Sequence, residues 1–232
     1  MKRMSEKVVI KRHSAQDFAY LDVKQKILEG TLKPDIPIIE EEISEELGIS
    51  RTPLRGALQR LEFENLVIRG YNGRLRVAPI SIQEVKEIFV VRSKLEEIAV
   101  EQATENATDD DFQTLSNIVH MIKQTYGDGR IEDILYYGSQ FHDYLYDLSG
   151  NGTVNNILTQ LNDHIHRYRR LVPNQNIDRV IEAGEEHEII LKHMMQKDKK
   201  AAQLVMKEHI QNSLDAAINA IIQHEDDDVE EI

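Results

Sequence analysis

The sequence predicts a mainly α-helical protein in two parts: a small N-terminal unit of three helices closed by a β-hairpin, and a C-terminal all-α six-helix bundle. Three observations carry this prediction. Residues 50–61 combine an apolar stripe, Leu54, Ala57, Leu58 and Leu61 at i, i+3, i+4 and i+7, with a polar face on which Arg51, Arg55 and Gln59 repeat every four residues. Directly behind it, two β-type runs, Leu66–Arg69 and Arg74–Val77, are joined by Gly70-Tyr71-Asn72-Gly73, and an Asn-Gly pair is a strong hairpin signal. From Ser81 onward helix-period patterns follow one another, with one proline, Pro173, and glycines gathered at the breaks.

In chain order, residues Ser14–Leu28 predict an amphipathic helix with Phe18, Leu21, Ile27 and Leu28 among its buried residues, stopped by Gly30. A short extended stretch bounded by Pro34 and Pro37 leads to a second helix, Glu41–Leu47, whose Ile43 and Leu47 face Leu54 and Leu58. Ser50 is positioned to cap the third helix through its hydroxyl, and Pro53 is tolerated in the first turn. With the hairpin behind them, the three helices make a winged helix-turn-helix. The polar face of helix three then suits a major groove, because Arg grips guanine O6 and N7 with two bonds and Gln does the same for adenine. Arg69, Arg74 and Arg76 put positive charge on the wing, within reach of phosphates or a minor groove. The plain alternative is a surface helix with solvated arginines.

The C-terminal part begins with a helix from Ser81 carrying Val85, Ile88, Phe89, Arg92, Leu95, Ile98 and Ala99. Thr108-Asp109-Asp110-Asp111 caps the next, which runs to about Tyr126. Breaks at Gly127-Asp128-Gly129 and Gly150-Asn151-Gly152 bound a helix over Arg130–Ser149, and Thr153–Leu171 follows. After a loop at Pro173 come Ile177–Gln196 and Lys199–His224. The expected divisions are an N-terminal extension (1–13), the winged helix (14–79), the bundle (80–224) and an acidic tail (225–232) read as a disordered end.

The chain is acidic, with a formal net charge of −13. Residues 1–78 carry 14 Lys and Arg against 12 Asp and Glu, a net of +2, which leaves 14 against 29 for the rest. Nucleic-acid binding needs local positive charge, and the acidic remainder would turn DNA away from every surface but one. There is no cysteine, so disulfides and thiolate metal sites are excluded, in keeping with a cytoplasmic protein. The first residues are charged and no apolar run approaches the ~20 residues of a membrane span.

The run LGISRTPLRGALQRLEFENLVIRGYNGRLRVAPIS matches, almost position by position, the signature of the GntR family of bacterial transcription regulators, and Ile27–Ser81 resembles that family's DNA-binding domain. The resemblance implies DNA contacts from Ser50, Arg51, Thr52 and Arg55, with the wing around Asn72, Gly73 and Arg74 beside them; Gln59 joins them by its place on the same helix face. Two residues depart from the pattern. Asp35 stands where Gly usually follows the proline, and Glu41 stands where some members have a phosphate-binding Arg. In the C-terminal part, Arg92-Ser93-Lys94-Leu95-Glu96, Phe141-His142, Leu148-Ser149-Gly150-Asn151, Glu186-His187 and Lys207-Glu208-His209 resemble the FCD effector domain of the FadR branch, and six helices point to its VanR-like subgroup.

His142, His187 and His209 fall on three helices, each on an apolar face, where an imidazole without a partner is costly. Brought together they suit Zn²⁺, Ni²⁺ or another first-row divalent ion; singly, each reads as a hydrogen-bonded core histidine. The resemblance implies a divalent metal held by one Asp and three His, the Asp one turn before the first His. That position is Gly138, and Asp143 points about 100° away around the helix. The implied effector is a small carboxylic acid, with Arg92, Arg169 and Arg170 as candidate partners for its carboxylate. The leading expectation is therefore a DNA-binding transcriptional regulator, a repressor and homodimer on a palindromic operator, and not an enzyme. A regulator whose bundle has lost its metal, and a metal-dependent hydrolase, are the alternatives.

Overall fold

Residues 14–126, 131–169 and 177–230 are described by a computed structural model of the chain, the side chains of residues 131, 169 and 224–230 excepted. Helices α1 (Ala15–Leu28), α2 (Glu40–Glu46) and α3 (Arg51–Phe63) precede strands β1 (Val67–Arg69) and β2 (Leu75–Val77). Helices α4 (Ile82–Asn106), α5 (Asp109–Tyr126), α6 (Ile131–Ser149), α7 (Gly152–Arg169), α8 (Ile177–Met195) and α9 (Lys199–Glu230) follow. The chain divides into two compact units between Pro79 and Ile80.

In the first unit, α1 opens with a reciprocal cap: the Asp17 amide donates to Ser14 Oγ at 3.1 Å and the Ser14 amide to Asp17 Oδ2 at 3.2 Å. Its buried face is Ala19, Tyr20, Val23 and Ile27. Phe18 and Leu21, expected in the core, are each 50% exposed. At about 100° per residue both sit roughly 150° from the centre of that stripe, so tight packing of Ala19 against the unit turns them outward. Leu54, Ala57, Leu58 and Leu61 of α3 are fully buried, and Ile43 of α2 packs in the same core.

The hairpin pairs Val67 with Val77, Ile68 with Arg76 and Arg69 with Leu75. Its loop is closed by Gly70 N–H to Arg74 C=O at 2.9 Å, with Gly73 at φ +76°, the left-handed residue a three-residue hairpin loop requires. The stretch between the prolines runs beside β2: Ile38 N–H donates to Leu75 C=O at 2.9 Å and Val77 N–H to Ile36 C=O at 3.0 Å. Pro37 lies between these two bonds, where no N–H is needed. Asp35 has φ +63°, which explains why glycine suits that position. The aspartate is retained there with its carboxylate accepting from Arg76 at 2.6 Å.

In the second unit, among the described residues, six helices form a bundle in which α4 packs on α9, α6 and α7, while α5 packs on α6 and α8. Ser81 Oγ caps α4 by accepting from the Glu84 amide at 3.1 Å, and Thr108 and Asp111 cap α5 reciprocally. The α9 backbone stays helical through Glu230, so the tail expected to be disordered is helical over that length; extending a formed helix costs far less than nucleating one. Gly184 of α8 is buried where a Cβ would collide with Tyr126 Oη and stand 2.6 Å from Ile122 Cγ2. Gly184→Ala is expected to destabilise the bundle by about 1–3 kcal/mol, read as a lower Tm in a thermal melt.

Candidate nucleic-acid interface and candidate metal centre

Ser50, Arg51, Thr52, Arg55 and Gln59 are all exposed, as are Asn72, Gly73 and Arg74 of the wing. Ser50 begins α3 with extended backbone, yet its side chain makes no capping bond, contrary to expectation. Pro53 occupies the third helical position and has no N–H to offer, which leaves the Ser50 hydroxyl exposed for another partner. Arg51 Nη2 is 2.6 Å from Glu41 Oε1 and Arg55 Nε is 2.7 Å from Glu40 Oε2. The acidic departure at Glu41 thus meets an arginine of the exposed face. Arg69 pairs with Glu62, whereas Arg74 has no carboxylate partner among the described residues. Asn72 Oδ1 accepts from the Arg74 amide at 3.0 Å and so shapes the wing.

His142 on α6, His187 on α8 and His209 on α9 come together inside the bundle at 4%, 4% and 3% exposure. One ring nitrogen from each lies within 4.8 Å of the others. His142 Nε2 is 3.1 Å from His209 Nε2 and 3.2 Å from His187 Nε2. His142 Nδ1 is 3.2 Å from Glu96 Oε2, and His209 Nδ1 is 2.6 Å from Glu186 Oε2. An ionised carboxylate can only accept, so both Nδ1 atoms carry a hydrogen, and in the neutral rings both Nε2 atoms present a lone pair. Two such lone pairs facing each other at 3.1 Å repel unless a proton or a metal cation lies between them. Nitrogens bound at ~2.0–2.1 Å to one ion stand about 3.0–3.4 Å apart, so the donor set fits a divalent metal.

Both supporting carboxylates stay ionised. Burial alone would raise the Glu96 carboxyl, but His142, together with Arg92 and Tyr146, holds it at about 2. Glu186 is likewise held at about 2, against burial, by hydrogen bonds from His209 and Arg179. Burial pushes His209 down to about 4 despite Glu186, which favours the neutral imidazole a metal requires. A Cβ built on Gly138 would stand 3.4 Å from His187 Cε1, an ordinary contact, so a side chain at 138 would enter the cluster. Asp143 is exposed and does not replace it.

A cavity of about 540 Å³ borders the cluster, with His142, His187, His209 and Gly138 in its wall. Phe89, Ile134, Leu135 and Ile165 give it an apolar side, and Arg179, Asn212 and Ser213 a polar one. Arg92 is not among the lining residues: it is 2% exposed, and its Nε donates to Glu96 Oε1 at 3.2 Å. The Arg169 side chain and the whole of Arg170 lie outside the described residues. The lining arginine is Arg179, which the sequence left unassigned, as it did the supporting carboxylates Glu96 and Glu186. Their spacing holds the signal: Glu96 follows Arg92 by one turn, and Glu186 follows Arg179 by two.

Two family profiles match the chain: "Bacterial regulatory proteins, gntR family" over residues 15–77 and "FCD domain" over residues 87–212. The chain is 28% identical over 192 residues to the HTH-type transcriptional regulator YdhC of Bacillus subtilis, covering 82% of this chain and 84% of that one. It is 30% identical over 140 residues to the regulator McbR of Escherichia coli, covering 60% and 63% of the two chains. The solved structure of McbR superimposes with a TM-score of 0.72 at 26% identity, covering 86% of this chain and 95% of that one. These relatives are regulators, and with them the hydrolase alternative falls. Among the described residues no helix is long and apolar enough to cross a membrane. One profile spans the hairpin-closed unit and the other more than half of the chain, so the chain belongs to the GntR family, as a DNA-binding transcriptional regulator with an FCD domain.

Proposed function

We propose that the chain is a cytoplasmic, ligand-responsive repressor that binds a palindromic operator as a homodimer. Ser50, Arg51, Thr52, Arg55 and Gln59 read and grip the major groove, and Asn72, Gly73 and Arg74 follow the backbone beside it. His142, His187 and His209 hold a divalent ion, Zn²⁺ or Ni²⁺, which when bound supplies a positive centre for an anion. The effector is a small carboxylic acid seated in the cavity, its acid group in the direction Gly138 leaves open and Arg179 beside it. The observation that carries this reading is the convergence of three buried histidines, with Nε2 of His142 3.1 Å from Nε2 of His209, in the wall of a ligand-sized cavity. Control follows only when the acid binds two arrangements of the dimer with different affinity.

The test is a thermal-shift screen of small carboxylic acids on the nickel- or zinc-loaded chain, then a gel shift on the DNA upstream of its own gene. At least one acid is expected to raise Tm, since a ligand at 100 times its Kd adds ~2.7 kcal/mol, and to release the operator. An acid that stabilises without moving the gel shift would refute effector control. Gly138 favours a second reading, a bundle that works without metal; there the same acid would stabilise chelator-treated protein equally.

A further inference from the structure

The two histidines whose tautomers are fixed are backed by matching relays. Arg92, Glu96 and His142 form one, buried throughout at 2%, 0% and 5% side-chain exposure. Arg179, Glu186 and His209 form the other, with 18%, 17% and 3%. In the second, Arg179 Nη2 is 2.9 Å from Glu186 Oε2 and Nη1 is 3.2 Å from Oε1, a bidentate grip, while Asn212 Nδ2 donates to Oε1 at 2.7 Å. Arg179 and Asn212 both line the cavity, whereas Arg92 and Glu96 do not. The inner Arg92–Glu96 pair is closed to anything entering the cavity, whereas Arg179 of the outer relay forms part of its wall.

Resting on the metal reading above, we propose that Glu186 is the positioning residue of the cation site and Arg179 its adjustable clamp. An anion that enters the cavity and draws Arg179 away from Glu186 changes how strongly His209 holds the ion. The same carboxylate oxygen, Glu186 Oε2, accepts from both His209 and Arg179, so the two donors compete for its electron density. Loss of the guanidinium strengthens the bond from His209 Nδ1–H and makes the ring a better donor at Nε2. By linkage, the ion then alters affinity for the anion by the same factor. Glu188, on the same helix but outside the cavity lining, pairs with Lys123 at 2.6 Å instead, which makes it the control.

The experiment is a Ni²⁺ titration of the full chain after chelator treatment, by calorimetry, with the absorption spectrum of the Co²⁺ form and the metal-free Tm recorded alongside. Glu186→Gln is expected to lower the metal-free Tm, since it loses the paired carboxylate, and, titrated below that Tm, to weaken nickel by about 10–100-fold and alter the cobalt spectrum, while Glu188→Gln binds as wild type. Arg179→Gln is expected to shift nickel affinity by about threefold or more in the wild-type background and to have no effect beside Glu186→Gln, the signature of action through one residue. Nickel affinity unchanged by Glu186→Gln, or an Arg179→Gln effect of equal size in both backgrounds, would overturn the proposal. Should Glu186→Gln not fold, Glu186→Asp, one methylene shorter, must weaken the ion and serves in its place. Wild-type protein that takes up no nickel would sink the metal reading itself, an outcome distinct from wild-type binding matched by Glu186→Gln.

Discussion

Replacing Arg51 and Arg55 together with alanine is expected to lower affinity for the specific operator by about 30- to 1,000-fold while leaving Tm unchanged. A bidentate arginine–guanine contact is worth ~1–3 kcal/mol. Against it stands the ion pair each arginine must give up, Arg51 with Glu41 and Arg55 with Glu40, at 52% and 66% exposure of the arginine side chains. Exposed pairs of this kind contribute under about 1 kcal/mol, so the guanine contact wins at each position. Arg74→Ala acts differently. As a phosphate contact it is expected to weaken all sequences alike and to reduce the slope of log affinity against log salt by about 0.9. Fluorescence anisotropy with operator and scrambled duplexes over a salt series separates the two. Operator binding retained by the Arg51/Arg55 double variant would remove α3 from the interface.

Gly138→Asp is expected to tighten divalent-metal binding by at least about tenfold. A tenfold gain is only ~1.4 kcal/mol, and a carboxylate added beside a divalent ion offers far more Coulomb attraction than that even at an effective dielectric near 20. The position is open to it, since a Cβ there meets His187 Cε1 at 3.4 Å without a clash. Competition against a chromophoric chelator measures the gain. The same variant is expected to weaken binding of a carboxylate effector, because the new aspartate fills the direction that acid would occupy. Equal metal affinity in the two proteins would show that residue 138 does not face the ion.

Much of the first unit was legible because its signals are local. The stripe at Leu54, Ala57, Leu58 and Leu61 and the Asn72-Gly73 turn each announce an element without help from distant residues. Phe18 and Leu21 misled because apolar character alone does not choose which of two helix faces is buried; contact with α3 does, and it selects Ala19, Tyr20, Val23 and Ile27. At Ser50 a cap was expected from residue type, but Pro53, three residues on, removes one of the two amide donors a cap can use, and no capping bond forms. In the bundle the three histidines were legible as unusual residues on apolar faces. Their partners were not, since Glu96 meets His142 across 46 residues and Glu186 meets His209 across 23. The Arg-to-Glu spacing marks an ion pair within one helix, but not which distant histidine the carboxylate meets. Arg92, quoted as part of a motif and expected to hold an effector, is instead committed to Glu96 in the buried relay.

The decisive measurement is a stoichiometric titration of the chelator-treated full chain with Ni²⁺ or Zn²⁺, beside a variant in which His142, His187 and His209 are all alanine. One ion per chain in the wild type and none in the variant is the predicted result. Wild-type protein that binds no ion more tightly than the triple variant would contradict a cation between the facing Nε2 atoms.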